Sequence, residues 1–394
     1  GSSGADNPYS FRETPPRAPH LCCPTSDMTK SFPAHCNGSG KDHMRCITVD
    51  KLKGDMDKVV RFSTTRPKPT LRPGDGRMII RTLAVSIAPG DVRVLRGQCD
   101  FMQSPKSFPY IPGGDSCGEV VEVHPGEKEF KVGDRVMVLF EDAPRNALAE
   151  FNAVKTSLAA HIPEILTPIE ASALPSSAMT AMIVAERHIA KGSRVLILNG
   201  SGGVGSHLVQ AAKTISGASY VAATSTQNEM LSKLGVDRVI DYRSENWWEV
   251  QELHDGGGLD VIIDLWGGVE AWNQAKVKRS PLKDTGLFVS TIGDNPYPEV
   301  HNVFEVLKML FHIMCRKLSN WLTPEQPKYV LGQGVHADPA ILQRLAQRVK
   351  EGAITPVVDA SSPFDFSAEG VKQALKLQES RHAHGKVVVL VATP

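Results

Sequence analysis

The sequence has almost no net charge: 44 lysines and arginines stand against 43 aspartates and glutamates, a formal balance of +1 over 394 residues. No bulk charge therefore asks for nucleic acid or a membrane surface as partner. Cysteine is sparse and odd in number, seven in the whole chain and widely spread. That excludes a disulfide framework as the organising device and favours a reducing compartment. The opening lacks the apolar core of a secretory signal, and no apolar run crosses a bilayer uninterrupted. What is present is an ordinary globular composition, 41% hydrophobic and 22% charged, at a length that suits two domains.

Residues 1–44 differ from the rest. Pro, Ser, Asn, Gly and His crowd this tract without apolar periodicity, so it is expected to be a disordered leader. Its first four residues, Gly-Ser-Ser-Gly, read as a cloning remnant. Few acids and some Ser and Arg leave an organelle-targeting role open beside a cytoplasmic one. Cys22, Cys23, His35, Cys36, His43 and Cys46 lack any familiar zinc spacing and are read as unrelated.

From Arg45 onward apolar and polar residues alternate between Gly and Pro punctuation. "RMIIRTLAVSI", "GEVVEVHPG" and "KVGDRVMVLF" predict strands. "TPIEASALPSSAMTAMIVAERHIAKG" predicts two helices, with Thr167 as N-cap and Glu170 three residues on. Strand and helix then alternate regularly from "SRVLILNG" to "GLFVSTIG", with "ENWWEVQELH" among the helices. This order predicts a parallel sheet with right-handed crossovers, hence a doubly wound domain. "EVHNVFEVLKMLFHIMCRKLSNWL" has helical apolar spacing interrupted by Glu305, Lys308, Arg316 and Lys317, so it is no membrane span. A lid or subunit contact is the first reading and a membrane-interface helix the second. "ITPVVD" and "GKVVVLV" are expected as closing strands.

"LNGSGGVGSHLVQAAK" carries G-x-G-x-x-G on Gly200, Gly202 and Gly205, between a predicted strand and a predicted helix. In that setting the loop, Gly200 to Gly205 with Ser201, Gly202, Gly203 and Val204, is expected to cradle a pyrophosphate at a helix N-terminus. An NAD site usually ends its second strand with a carboxylate for the ribose 2′-hydroxyl. Here that position reads Ala223, Thr224, Ser225, Thr226. Nothing repels a 2′-phosphate there; three hydroxyls are on offer, and Tyr242 and Arg243 follow the third strand. NADPH is the expected cofactor. Ser225 and Thr226 also suit helix capping.

From Met44 to the C-terminus the chain resembles the medium-chain dehydrogenase/reductase superfamily, through "VGDRVMV", "AEFNAVKTSLAAHIP", "EASALPSSAMTA", the glycine loop, "KLGVDRVIDYRSE", "LDVIIDLWGG" and "HGKVVVLV". The resemblance implies an α/β protein: a GroES-like β domain, 45–177 with 337–394, plus a Rossmann domain, 178–336, with the substrate cleft between them. Zinc alcohol dehydrogenases of the superfamily carry Cys, His and Glu where this chain has Ala88, Gly114 and Asp115, and the structural-zinc lobe is missing. No metal is expected, and the chain looks like the zinc-free quinone, enone and enoyl reductases. Several stretches, "ITPVVDASSPFDFS" among them, look closest to the mitochondrial, reticulon-interacting NADPH oxidoreductases. The resemblance puts Thr180 beside the nicotinamide, with helix packing as its alternative role. Cys99 stands where related enoyl reductases have a tyrosine proton donor; it is read as a buried thiol first and a substrate-facing one second. Asp91 is read as a structural partner before a general acid, and Lys386 as a phosphate or nicotinamide contact. The expected substrate is a small-molecule quinone or enone. A trans-acting enoyl reductase and a non-catalytic NADPH-binding scaffold are the alternatives. A homodimer through the edge strand "KYVLGQ" is a further expectation.

Overall fold

The first strand starts two residues before the texture change suggested. β1 (His43–Val49), a one-turn helix α1 (Met56–Val59) and β2 (Val60–Pro67) form an antiparallel pair beside the first large sheet. A computed structural model describes residues 42–98, 100–140, 146–295, 299–323, 325–332 and 338–393. Most of the leader, with Cys22, Cys23, His35 and Cys36, lies outside the described residues, as does Cys99.

The chain continues through β3 (Arg77–Ile87), α2 (Pro89–Arg96), α3 (Asp100–Gln103), β4 (Asp115–Glu122), β5 (Arg135–Val138), β6 (Phe151–Lys155) and β7 (Ala159–His161). Helices α4 (Pro168–Ser172) and α5 (Pro175–His188) follow. Thr167 caps α4 as its spacing predicts: its hydroxyl accepts from Glu170 N, and Glu170 Oε2 accepts from Thr167 N at 2.9 Å.

A second series comprises β8 (Arg194–Leu198), α6 (Gly203–Thr214), β9 (Tyr220–Thr224), α7 (Asn228–Lys233), β10 (Arg238–Ile240), α8 (Gln251–His254), β11 (Leu259–Asp264), α9 (Gly268–Ala275), β12 (Leu282–Ser290), α10 (Val303–Leu322) and β13 (Lys328–Leu331). Its six strands are parallel, in the order β10-β9-β8-β11-β12-β13. That is the 3-2-1-4-5-6 order of a doubly wound sheet, with the reversal between β8 and β11. The chain ends with α11 (Pro339–Lys350), β14 (Phe364–Asp365), α12 (Ala368–Ser380) and β15 (Val387–Leu390). β15 pairs antiparallel with β3, so the C-terminus returns to the first sheet.

One core joins the two sheets. Leu83, Cys117 and Met137 of the first share a cluster with Val195, Ile197 and Val261 of the second, with Met179 and Met182 of α5 also in it. Each buried methionine contributes about 2 kcal/mol. The expected boundary at 177/178 falls inside α5.

Two local expectations differ from the fold. "ENWWEVQELH" is a 3-10 turn at Trp247–Glu249 and a single turn of helix, broken at Val250, whose backbone is extended. Trp247 is buried there, its ring edge-on to Trp248, and tertiary packing overrides the helical periodicity. "ITPVVD" forms only an isolated bridge, Val358 with Lys386. Pro356 has no N–H to give a ladder.

Candidate active site

β8 is buried along most of its length and carries Val, Leu and Ile in succession, as a central parallel strand covered on both faces requires. It ends at Asn199, whose left-handed φ of 70° turns the chain. Two bonds from the end of β9 hold this turn: Asn199 N donates to Thr224 Oγ1 at 2.8 Å, and Gly200 N to the Thr224 carbonyl at 3.0 Å. A Cβ on Gly205 would stand 2.1 Å from the Asn199 carbonyl oxygen, and one on Gly200 2.6 Å from the Ala223 Cβ. The close approach of helix to strand is therefore possible only with glycine. Gly202 caps α6 with no side chain bonded to the first turn, so those N–H groups and the positive helix end face the crevice outside the switch point. Val204 packs on the shared core.

The C-terminal return forms the opposite wall. Gly385 N donates to the Ser201 carbonyl at 2.8 Å, and Lys386, only 5% exposed, runs across the loop. A Cβ on Gly203 would meet Lys386 Cδ at 3.0 Å. The ammonium of Lys386 lies 3.5 Å from Asp115 Oδ2, and the Ser176 hydroxyl donates to the same oxygen. Asp115 is fully buried, and its Oδ1 has no hydrogen-bond partner. Beneath the loop, His207 Nδ1 donates to the Gly203 carbonyl at 2.7 Å, which leaves Nε2 bare and buried. Burial, opposed by the bond to Gly203 and helped by the Lys386 charge, pulls the His207 pKa down to about 4. His207 is neutral at pH 7.

The expected 2′-phosphate residues converge at the ends of β9 and β10, where Ser225 N donates to the Ile240 carbonyl at 2.9 Å. Their states differ. Thr224 is buried and spends its oxygen on Asn199. Ser225 is buried and accepts from Gln227 N at 2.9 Å, as a cap would. Thr226 and Tyr242 are part-exposed. Arg243 is exposed and already paired: its Nε and Nη2 donate to the Asp241 carboxylate at 3.0 and 2.7 Å. That bond pulls the Asp241 pKa down and pushes the Arg243 pKa up. A carboxylate thus does stand in this corner, at the end of β10 and not at the end of β9.

Asp91 caps α2, its Oδ2 accepting from Ala88 N at 2.8 Å. Burial and the charge of Asp91 raise the pKa of the buried Tyr110 hydroxyl. Thr180 lies one turn along α5 from Ser176 and donates to its carbonyl at 2.7 Å. Ser176 and Thr180 therefore share the side of α5 that faces Asp115.

A catalytic zinc does not fit these residues. Ala88 and Gly114 offer no ligand, and Asp115 is held by Lys386 and Ser176. Among the described residues no three His, Cys, Asp or Glu side chains gather as a metal site. Ser176, His207, Gly385 and Asp241 were not singled out by sequence. Their signals, "LPSSAMT", "SHLVQ", "HGK" and "IDYR", acquire meaning only once the chain brings residues far apart into one wall.

A family described as "Alcohol dehydrogenase GroES-like domain" matches residues 74–162, and one described as "Zinc-binding dehydrogenase" matches 234–389. The chain is 31% identical over 324 residues to the chloroplastic NADPH-dependent alkenal/one oxidoreductase of Arabidopsis thaliana, covering 80% of this chain and 72% of that one. It is 29% identical to the mitochondrial NAD(P)H oxidoreductase RTN4IP1 of Bos taurus, over 88% of this chain and 89% of that one. The structure of the quinone oxidoreductase from Coxiella burnetii superposes with a TM-score of 0.67 at 25% identity, over 89% of this chain and 100% of that one.

Proposed function

Because the chain belongs to the medium-chain dehydrogenase/reductase superfamily, in its branch of quinone and alkenal oxidoreductases, and is an oxidoreductase using a nicotinamide cofactor, we propose that it is a zinc-independent, NADPH-dependent reductase of quinones or α,β-unsaturated carbonyls. The observation that carries this reading is the interdomain wall. A glycine loop at the switch point is paired with a buried lysine, while the zinc-ligand positions hold Ala88, Gly114 and a lysine-bound Asp115. In this reading residues 178–336 bind the cofactor, and 45–177 with 337–394 shape the substrate side.

The bound cofactor supplies the hydride. The amides of Gly202 to Gly205 and the ammonium of Lys386 hold the pyrophosphate. Lys386 would reach the phosphates while keeping Asp115 as its partner, so that both buried charges stay compensated. Thr226, Tyr242 and Arg243 take the 2′-phosphate, with Arg243 shared between that group and Asp241. Thr180 and Ser176 border the nicotinamide end. The Ser176 hydroxyl is a proton-bearing group bonded to the Asp115–Lys386 pair, and Asp91 serves the fold by capping α2.

The test is consumption of NADPH by the full chain against a panel of quinones, enals and enoyl thioesters, with NADH as control. Turnover of quinones or enals is expected. Turnover of enoyl thioesters alone would move the substrate to carrier-bound acyl chains, and binding without turnover would leave a cofactor-binding scaffold.

A further inference from the structure

Helix α10 is an amphipathic helix set in the fold back to front. Its polar side packs on the protein: Arg316 Nη2 donates to Asp294 Oδ1 at 3.1 Å, with its guanidinium 4.9 Å from the Tyr329 ring centre. Asn320 brackets the backbone of Tyr329, donating to its carbonyl at 2.7 Å and accepting from its N–H at 3.0 Å. The apolar side faces outward. Phe304, Leu307, Phe311, Met314, Leu318 and Trp321 recur at intervals of three and four and are all exposed, Phe304 by 77% and Trp321 by 76%. None of the twenty residues of α10 is buried. A monomer rarely leaves so long an apolar strip open unless the strip has an occupant.

We propose that this strip lies in the surface of an anionic lipid bilayer, with α10 parallel to the membrane plane. The borders of the strip favour a lipid surface over a second copy of the chain. Helical spacing puts Lys308 on one border and Lys317 on the other; both are exposed and in no ion pair among the described residues. The only carboxylate of α10, Glu305, is turned away from the strip and takes part in the N-terminal cap with Asn302. A helix that pairs with its own copy usually carries both signs of charge along its borders. Here both borders are positive, which a second copy leaves unmatched and anionic headgroups match. The strip is also broader than a coiled-coil seam, because Val303, Leu310 and Leu322 widen it. No helix among the described residues is long and apolar enough to span a membrane, so α10 lies on the surface.

The orientation is fixed by two anchors. At its start, Val300 N donates to the Gln98 carbonyl at 2.7 Å, and His301 meets Asp100 Oδ1 at 2.8 Å, tying α10 to the first domain. At its end, the Asn320–Tyr329 bonds tie it to the sheet edge at β13. The helix can therefore dock without leaving the body of the protein. This inference stands whatever the reaction proves to be.

The test is flotation of the full chain with vesicles of phosphatidylcholine alone and of phosphatidylcholine mixed with phosphatidylserine. Binding to the mixed vesicles is expected, and much less to the neutral ones. Phe311→Glu with Met314→Glu should abolish it. Lys308→Glu with Lys317→Glu should weaken binding to the mixed vesicles by about tenfold or more, on the basis of roughly 1 kcal/mol per surface lysine. All four side chains are exposed, and unchanged melting temperatures would show both variants folded. Absence of flotation, or flotation indifferent to both variants, would overturn the proposal. So would a dimer by light scattering that Phe311→Glu with Met314→Glu converts to monomers, since a second copy would then occupy the strip.

Discussion

The two walls of the interdomain crevice are made of different materials. The glycine-loop wall is backbone: between Asn199 and Gly205 the chain turns with no room for a Cβ at Gly200 or Gly205, and the groups it offers the crevice are amides at the start of α6. The opposite wall is side chain: Asp115 of β4, Ser176 of α5 and Lys386 just before β15 meet there, Asp115 and Lys386 being 271 positions apart in sequence. A wall built from local backbone tolerates no change of shape but asks nothing of distant sequence. A wall built from side chains depends on members far apart in the sequence, and changing one leaves its partners unmatched.

The first wall breaks most completely at Gly205. Gly205→Val should leave no measurable nucleotide binding and a lower melting temperature, because backbone atoms of Gly200 and Asn199 block the new side chain. Gly203→Ala meets only the flexible Lys386 stem and should cost far less. If the two variants lose binding equally, the steric account of this wall is wrong.

The second wall breaks at Lys386. Lys386→Met strands a buried carboxylate and should cost about 3–5 kcal/mol in denaturant unfolding. Adding Asp115→Asn should restore most of the stability without restoring nucleotide affinity. Recovery of both would mean that Lys386 serves the fold alone.

Acid sharpens the contrast through His207, which lies beneath the first wall. Its folded pKa of about 4 lies below the unfolded value of about 6.5, so protons favour the unfolded chain. Stability from this group is complete above pH 6.5 and lost as pH falls towards 4, by roughly 3 kcal/mol at most. His207→Gln should flatten that loss in melts across the same window; an unchanged acid slope would assign it elsewhere.

The smallest effect belongs to the outer corner of the first wall. Arg243→Ala should weaken NADPH by about tenfold and leave NADH and stability nearly unchanged, since the side chain is exposed. Asp241→Asn frees the same guanidinium and should tighten NADPH. Equal effects on both nucleotides would remove Arg243 from the phosphate site.

The same division explains what could be read in advance. The strand–helix alternation, the Thr167 cap and the glycine loop each lie within about fifteen residues, where periodicity and steric rules act. The tie between Asp115 and Lys386, and the Asp241 carboxylate that occupies Arg243, depend on which loops the topology brings together. Trp247 shows tertiary burial overriding a helical pattern, and Pro356 a strand pattern without its donor. For α10 the periodicity gave an amphipathic helix, yet the face turned to the protein is the polar one, because Arg316 and Asn320 find Asp294 and Tyr329 there.

The most direct test of the central assignment is a titration of the full chain with NADPH and, separately, NADH. The account predicts saturable binding of one nucleotide per chain, NADPH tighter by about tenfold or more, and loss of that binding in Gly205→Val. Equal or tighter binding of NADH, or binding that survives in Gly205→Val, would contradict it.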